Sequence, residues 1–447
     1  MRFALTGSVA LSALLSVAAS GPAAAQCAPD PAVPLDFVTC TGTDLDGFSS
    51  DADFVSIGVE PGAEVTAPGD AIELSGDTAN VFNEGDVLGT GKGLDLGFDA
   101  LVNNFGFIDA GDDGIAAGDN LTLFNSAFGF IAATNRGVDA GDFAGILNEG
   151  FINADNDAIR VGDSAVVEND NILFSFEQEG VDAGNDLTLN NFGIIDAGDE
   201  GVQAALRATI LNEGTIVSFD DAIQVQGDGV IENTEDGVIA SFENDAIDID
   251  SGVVINAGQI ISEGVGEAGI DVDEIEAEDG VFPSDRSLFV ENLETGKIEG
   301  EFGIFVDALN EESQTVVNAG HISGLGGVAI DLGAGDDEVF ALGGATFDGL
   351  VEGGSGFDTL GFGFDFDAFS VLNIFSDGTF QLASEELGGG AIQFANFEFF
   401  LFDDASLEFG ELKSILPPTA IPLPASAPLL IGGIALFGWV ARRRRRA

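Results

Sequence analysis

At 447 residues the chain is long enough for two or three ordinary domains or for one elongated one. Its 63 glycines, 38 phenylalanines, absence of tyrosine and 45% hydrophobic content exclude a disordered polymer. A formal charge of −65 repels nucleic acid and anionic lipid headgroups, attracts divalent cations and suits a saline medium.

Residues 1–25 begin MRFALTGSVALSALLS, one Arg before an apolar run, and end in AAA. This is the layout of a secretory signal peptide cleaved after Ala25. Gln26 stands where a lipoprotein signal needs a small residue, so Cys27 is not read as a lipid anchor. All 78 acids lie between Cys27 and Ala420, with only seven bases among them. Residues 26–70 are expected to form an N-terminal cap. Its Cys27 and Cys40, the only cysteines, are expected to pair in an exported chain, worth roughly 3 kcal/mol for so short a loop.

Residues 71–331 repeat. Asparagines fall at Asn83, Asn104, Asn125, Asn148, Asn169, Asn191, Asn212, Asn233, Asn256, Asn292 and Asn318; the first eight steps are 21, 21, 23, 21, 22, 21, 21 and 23, and the last two, 36 and 26, carry insertions. A small residue (Gly93, Gly114, Gly137, Ala158 and so on) opens a second alternating run in each period, and a third comes after each Asn. Runs of three to five residues between Gly/Asn/Asp turns are too short to bury an apolar face alone, whereas stacking one copy on the next does so. The prediction is an all-β, single-stranded parallel β-helix of about 11 coils with three short strands per coil, β-rich caps and a C-terminal transmembrane helix. The asparagines are expected to take left-handed turns and to bond from coil to coil through their amides.

Two columns of the repeat carry charge. The turn residue before the small anchor is acidic in five consecutive coils: Asp157, Glu179, Glu200, Asp221 and Asp245, with Asn156, Asp199, Asp220 and Asn244 beside them. Stacked carboxylates repel, and the remedies are raised pKa values or bound Ca²⁺, the alternative being a salt-screened, splayed column. The outward position of the third strand reads Asp95, Ala116, Asp139, Arg160, Asp182, Gln203, Gln224, Asp248, Asp271, where Arg160 is placed to pair with its acidic neighbours.

Residues 332–361 read LGAGDDEVF, GGATFDGLV and GGSGFDTLG with short connectors. They resemble the RTX-type calcium-binding nonapeptides, G-G-x-G-x-D-x-U-x. The resemblance implies a β-roll segment in which Asp337, Asp348 and Asp358 ligate Ca²⁺; the departures are Leu332 and Thr346 at glycine positions and spacings of 11 and 10. Residues 362–412 read as strands of a C-terminal β cap. The β-helix with this ending also resembles the passenger regions of autotransporter-like adhesins, although too few residues remain for a translocating barrel.

Residues 413–424 form a Pro-rich linker, 425–441 an apolar stretch just long enough to span a bilayer, and 442–447 an Arg-rich tail expected to stay cytoplasmic. Ile421, Pro422, Leu423, Pro424 and Ala425, together with the apolar stretch and the Arg tail, resemble the VPLPA-CTERM class of PEP-CTERM-like sorting signals, with Ile for Val at the first position. That resemblance implies an exosortase-type membrane protease as partner, a Gram-negative host and delivery to the cell surface; a permanent single-pass anchor is the other reading.

Parallel β-helices also carry polysaccharide lyases and hydrolases, which need a free base beside carboxylates or a carboxylate pair in a cleft. Lys92, Arg136 and Arg160 sit among acids, His321 lies at an ordinary outward position, there is no G-x-S-x-G elbow or zinc spacing, and the one tryptophan, Trp439, is in the terminal apolar stretch. The expected function is therefore non-enzymatic: an exported, adhesin-like or matrix rod that binds Ca²⁺ and, through it, anionic polysaccharide or neighbouring cells. A lyase or hydrolase is the alternative.

Overall fold

The computed structural model describes residues 26–273, 287–374 and 379–415. The expected signal peptide, sorting motif, apolar span and Arg tail lie outside them. Among the described residues no helix is long and apolar enough to cross a membrane.

The chain is all-β, a parallel β-solenoid of about 14 turns with almost no helix. Each regular coil has three faces. One begins at Leu101–Asn104 on the first face, turns through Phe107–Ala110 on the second, and ends with Ile115–Ala117 on the third. Each strand pairs in parallel with its counterpart one coil away: Val102 with Leu123, Ile108 with Ile131, Ile115 with Val138. The alternation that makes these runs strands also sorts their side chains, so the interior holds three apolar stacks. Val102, Ile108 and Ile115 are all fully buried, and each such residue contributes roughly 1.5–3 kcal/mol.

The Asn column is a fourth internal stack. Asn83 through Asn318 occupy equivalent register positions, and all eleven are fully buried. Each Nδ2 donates to the Oδ1 of the next asparagine at 2.8–2.9 Å, without a break over the whole set. The insertion between Asn256 and Asn292, 36 residues apart, leaves the ladder intact. Left-handed geometry, however, is absent from these asparagines. It occurs in a different turn, between the third and first faces, at Phe54, Thr78, Asp99, Asn120, Phe143, Ser164, Asp186, Arg207 and Asp228. The amide is kept for its donor and acceptor, not for its backbone freedom.

The expected 11 coils are too few because the solenoid outruns its asparagines at both ends. Phe37–Cys40 and Ser56–Val59 already stack on the first face, placing Cys40 and Val59 in the Asn column. At the far end Ala341 and Phe362 take that position. The ladder's end amides find backbone partners instead: Asn83 Oδ1 accepts from the Gly85 N–H and Asn318 Nδ2 donates to the Thr346 carbonyl. The same first-face pairing runs on past residues 71 and 332.

Both ends are closed. Cys27–Ala28 runs antiparallel to Thr39–Cys40, and Cys27 is disulfide-bonded to Cys40. At the C-terminus the antiparallel strands Phe369–Ile374, Phe380–Ser384 and Ala391–Ala395 attach through Leu350 to Glu352 to the third face, and the hairpin Phe399–Leu401/Ser406–Glu408 to the first. Phenylalanines fill this end: Phe362 stacks on Phe402 at 5.2 Å, and Phe400 packs on Phe394 at 5.4 Å. Open strand edges template aggregation, and these segments cover them.

Candidate functional site

The acid column lies at the turn entering the third face. The backbone N–H of each small anchor donates to the carbonyl of the acidic residue one coil on: Gly137 to Asp157, Ala158 to Glu179, Gly180 to Glu200, Gly201 to Asp221, Ala222 to Asp245. Asp157, Asp221 and Asp245 are buried, and Glu179 and Glu200 half-buried. They are therefore not splayed into solvent.

Burial is the first cause of their titration behaviour, and like charge adds to it. Glu179, hydrogen-bonded to Asp157, is pushed up to about 8, and Glu200 to about 7. Asp221 rises to about 8 and Asp245 to about 7, each under burial and neighbouring acids. The outward third-face row joins in. Asp248 rises to about 6, through burial and then Asp273, and Asp271 to about 9, through burial and then Asp245 and Asp273. Crowding of this kind is relieved by a proton or by an oxygen-liganded cation alike.

Cations fill the N-terminal part of the column. Lys92 pairs with Asp95 at 2.8 Å. Arg136 binds Asp157 at 3.1 Å and Asp139 at 3.2 Å. Arg160 pairs with Asp182 at 3.3 Å, while its other neighbour, Asp139, is held by Arg136. From Glu179 to Asp245 the sequence places no base at the turn position itself.

Among the described residues, two groups of three carboxylates bring ligand atoms within 4.8 Å of one another: Glu179, Asp199 and Glu200, and Asp248, Asp271 and Asp273. The second was not evident from the sequence, because Asp248 and Asp271 come from successive coils and Asp273 lies past the strand. Its only signal is the D-x-D of residues 271–273 above Asp248. Asp248 and Asp273 line a hollow of about 320 Å³ with Gln224 and Asp307.

The RTX-like aspartates divide. Asp337 and Asp358 are one coil, 21 residues, apart, and both are fully buried. Asp358 Oδ1 accepts from the Asp337 N–H at 2.9 Å, and Asp337 Oδ1 from the Gln314 N–H at 2.7 Å. The Oδ2 atoms of both are buried without a donor. Asp337 is pushed up to about 7 and Asp358 to about 6, burial first. Their turns carry stacked glycines at positive φ, Gly335 under Gly356; a side chain on Gly356 would collide with the Gly335 carbonyl. Asp348 is exposed on the second face beside Ser323, half a coil away. The 21-residue period governs, so alternate nonapeptides land on opposite sides of the solenoid. Two orphaned carboxylate oxygens in a glycine turn fit an oxygen-liganded cation at Asp337 and Asp358; Asp348 does not fit it.

His321 Nδ1 lies 2.7 Å from Thr346 Oγ1 on the second face, away from both acidic sets. No known family, curated protein or solved structure matches the chain.

Proposed function

We propose that the chain is a non-enzymatic display rod of the bacterial surface or matrix, adhesin-like, with Ca²⁺ held at Asp337 and Asp358. The observation that carries this reading is the state of the bases. Lys92, Arg136, Arg160, Arg207 and Lys297 each sit in an ion pair, which leaves them engaged instead of free to take a proton from a sugar ring. An uninterrupted Asn ladder supports a stiff rod whose acids are held at fixed intervals. Bound Ca²⁺ would neutralise the orphaned oxygens there, and Ca²⁺ gathered by the exposed acids would bridge to anionic polysaccharide or to a neighbouring cell. Export by residues 1–25, sorting by an exosortase-type protease at Pro422, Leu423, Pro424 and Ala425, and a span at 425–441 before processing, outside a Gram-negative inner membrane, complete the proposal.

The test has two arms. Deleting the gene should reduce chelator-sensitive adhesion or matrix retention, and unchanged behaviour in both assays counts against display. Calorimetric melting of the full chain should show a higher transition temperature with Ca²⁺ than with chelator, and Asp337→Asn with Asp358→Asn should remove that difference. New unsaturated ends after incubation with uronate polymers would favour a lyase instead.

A further inference from the structure

Charge is not spread evenly around the rod. The acids concentrate in the turns and on the third face. The outward positions of the first face, from Asn80–Asn83 to Thr315–Asn318, are apolar, Thr, Asn or Gly, except for Glu168, Glu232 and Glu291, and none is basic. Phe82, Leu101 and Val166 are exposed there at 40%, 38% and 49%, and Phe124, Leu147 and Leu211 are partly exposed on the same face. Scattered surface hydrophobics need no explanation, but a sheet face with apolar side chains at half of its outward positions, three acids and no base does in a chain of charge −65.

We infer that this first face is the surface through which two copies of the chain pack side by side. A strip without bases offers no charge complement to an anion, and its three acids offer little to a cation. What it matches is another flat, nearly uncharged strip, and this chain carries one of equal length. Eleven stacked strands of four residues cover about 50 Å by about 15 Å, or roughly 750 Å² per copy, close to the roughly 800 Å² per partner of a stable interface. Two β-faces pack at about 10 Å with interdigitating side chains, and rows one coil apart on each copy permit that. The flank toward the third face carries Asp99, Asp142, Asp163 and Asp186. With the two rods antiparallel, like flanks meet and Asp99, Asp142 and Asp163 confront their counterparts across the seam, Asp186 being held by Arg207, so pairing strengthens as salt screens them. The pairing leaves the third-face acids outward on both copies.

The chain's two cysteines are joined in the disulfide, so an introduced thiol is unique. Thr188 lies midway along the strip, and Gln203 points outward from the third face of the same coil. In the full chain purified in mild detergent, Thr188→Cys should give a covalent dimer with a short bis-maleimide, and Gln203→Cys should not. Light scattering should show a dimer fraction that rises with NaCl. Leu147→Glu combined with Leu211→Glu should weaken dimerisation at least tenfold while the far-ultraviolet dichroism and melting stay unchanged; Gln203→Glu should leave it intact. If that double variant fails to fold, the cross-linking contrast alone decides. A monomer at every salt concentration overturns the inference, as does equal cross-linking at both positions, the mark of micelle-driven association. A monomer that floats with phosphatidylcholine vesicles only when the strip is intact also overturns it, by assigning the face to lipid.

Discussion

Asn169 donates to Asn191 Oδ1 at 2.9 Å and to the Ile194 carbonyl at 3.2 Å, and accepts from Asn148. Asn169→Ala would leave the Asn191 oxygen without that donor and Asn148 with only its 3.2 Å contact to the Ile172 carbonyl. Orphaned buried polar groups cost about 1–3 kcal/mol each, so the substitution should destabilise the surrounding coils by roughly 2–4 kcal/mol. Asn169→Asp should cost more, because it places a charge where a donor is needed. Amide hydrogen exchange checks both: protection should fall around residues 145–195 and persist in distant coils, since a solenoid contacts only its neighbours. A loss spread evenly over the rod would mean the ladder is one cooperative unit.

At the scale of the element, what was legible in the sequence depended on whether a position needs a distinctive residue. The first-face column needs an amide and so announced itself through eleven asparagines, and the acidic turn position could be read in the same register. The coils around Cys40, Val59, Ala341 and Phe362 do the same backbone work without the marker, and so leave no periodic trace. The left-handed turn was invisible for the converse reason. Its occupants include Phe54, Thr78, Phe143 and Arg207, held there by bonds to the next coil such as Phe143 N–H to the Asp163 carbonyl, not by intrinsic preference. How deeply Asp221 and Asp245 are buried was likewise beyond reach, because it depends on the neighbouring coils. The C-terminal closure tests the same logic. Phe400 is fully buried and continues the first-face stack above Leu360. Phe400→Ala should cost about 3–5 kcal/mol, and limited proteolysis should then cut beyond residue 340 well before the central coils. Simultaneous cleavage throughout would show that the end segment governs the whole rod.

Across the whole molecule the buried acids act in one direction. Glu179, Glu200, Asp221, Asp245, Asp271 and Asp337 all have folded-state values raised to about 7–9, against roughly 4 in an unfolded chain. Between pH about 4 and about 9 the folded state therefore holds more protons than the unfolded one. Stability must then fall as pH rises through that window, its contribution being complete below the unfolded value. Asp186, held below the usual carboxylate range by Arg207, has the opposite sign, but it is exposed and its weight is small. Self-repulsion in a chain of charge −65 adds to the loss on the alkaline side. Scanning calorimetry at fixed ionic strength, without divalent cations, should show the melting temperature highest near pH 4–5 and several degrees lower by pH 9. Asp221→Asn with Asp245→Asn imitates the protonated pair, so it should flatten part of that slope and raise the melting temperature at pH 8. If Ca²⁺ alone restores the alkaline loss in this double variant as fully as in the native chain, the cation acts elsewhere, with Asp337 and Asp358 the first place to look. A melting temperature that climbs from pH 5 to pH 9 would mean the column stays ionised in its turn, and the physical account of the acid stack would fail.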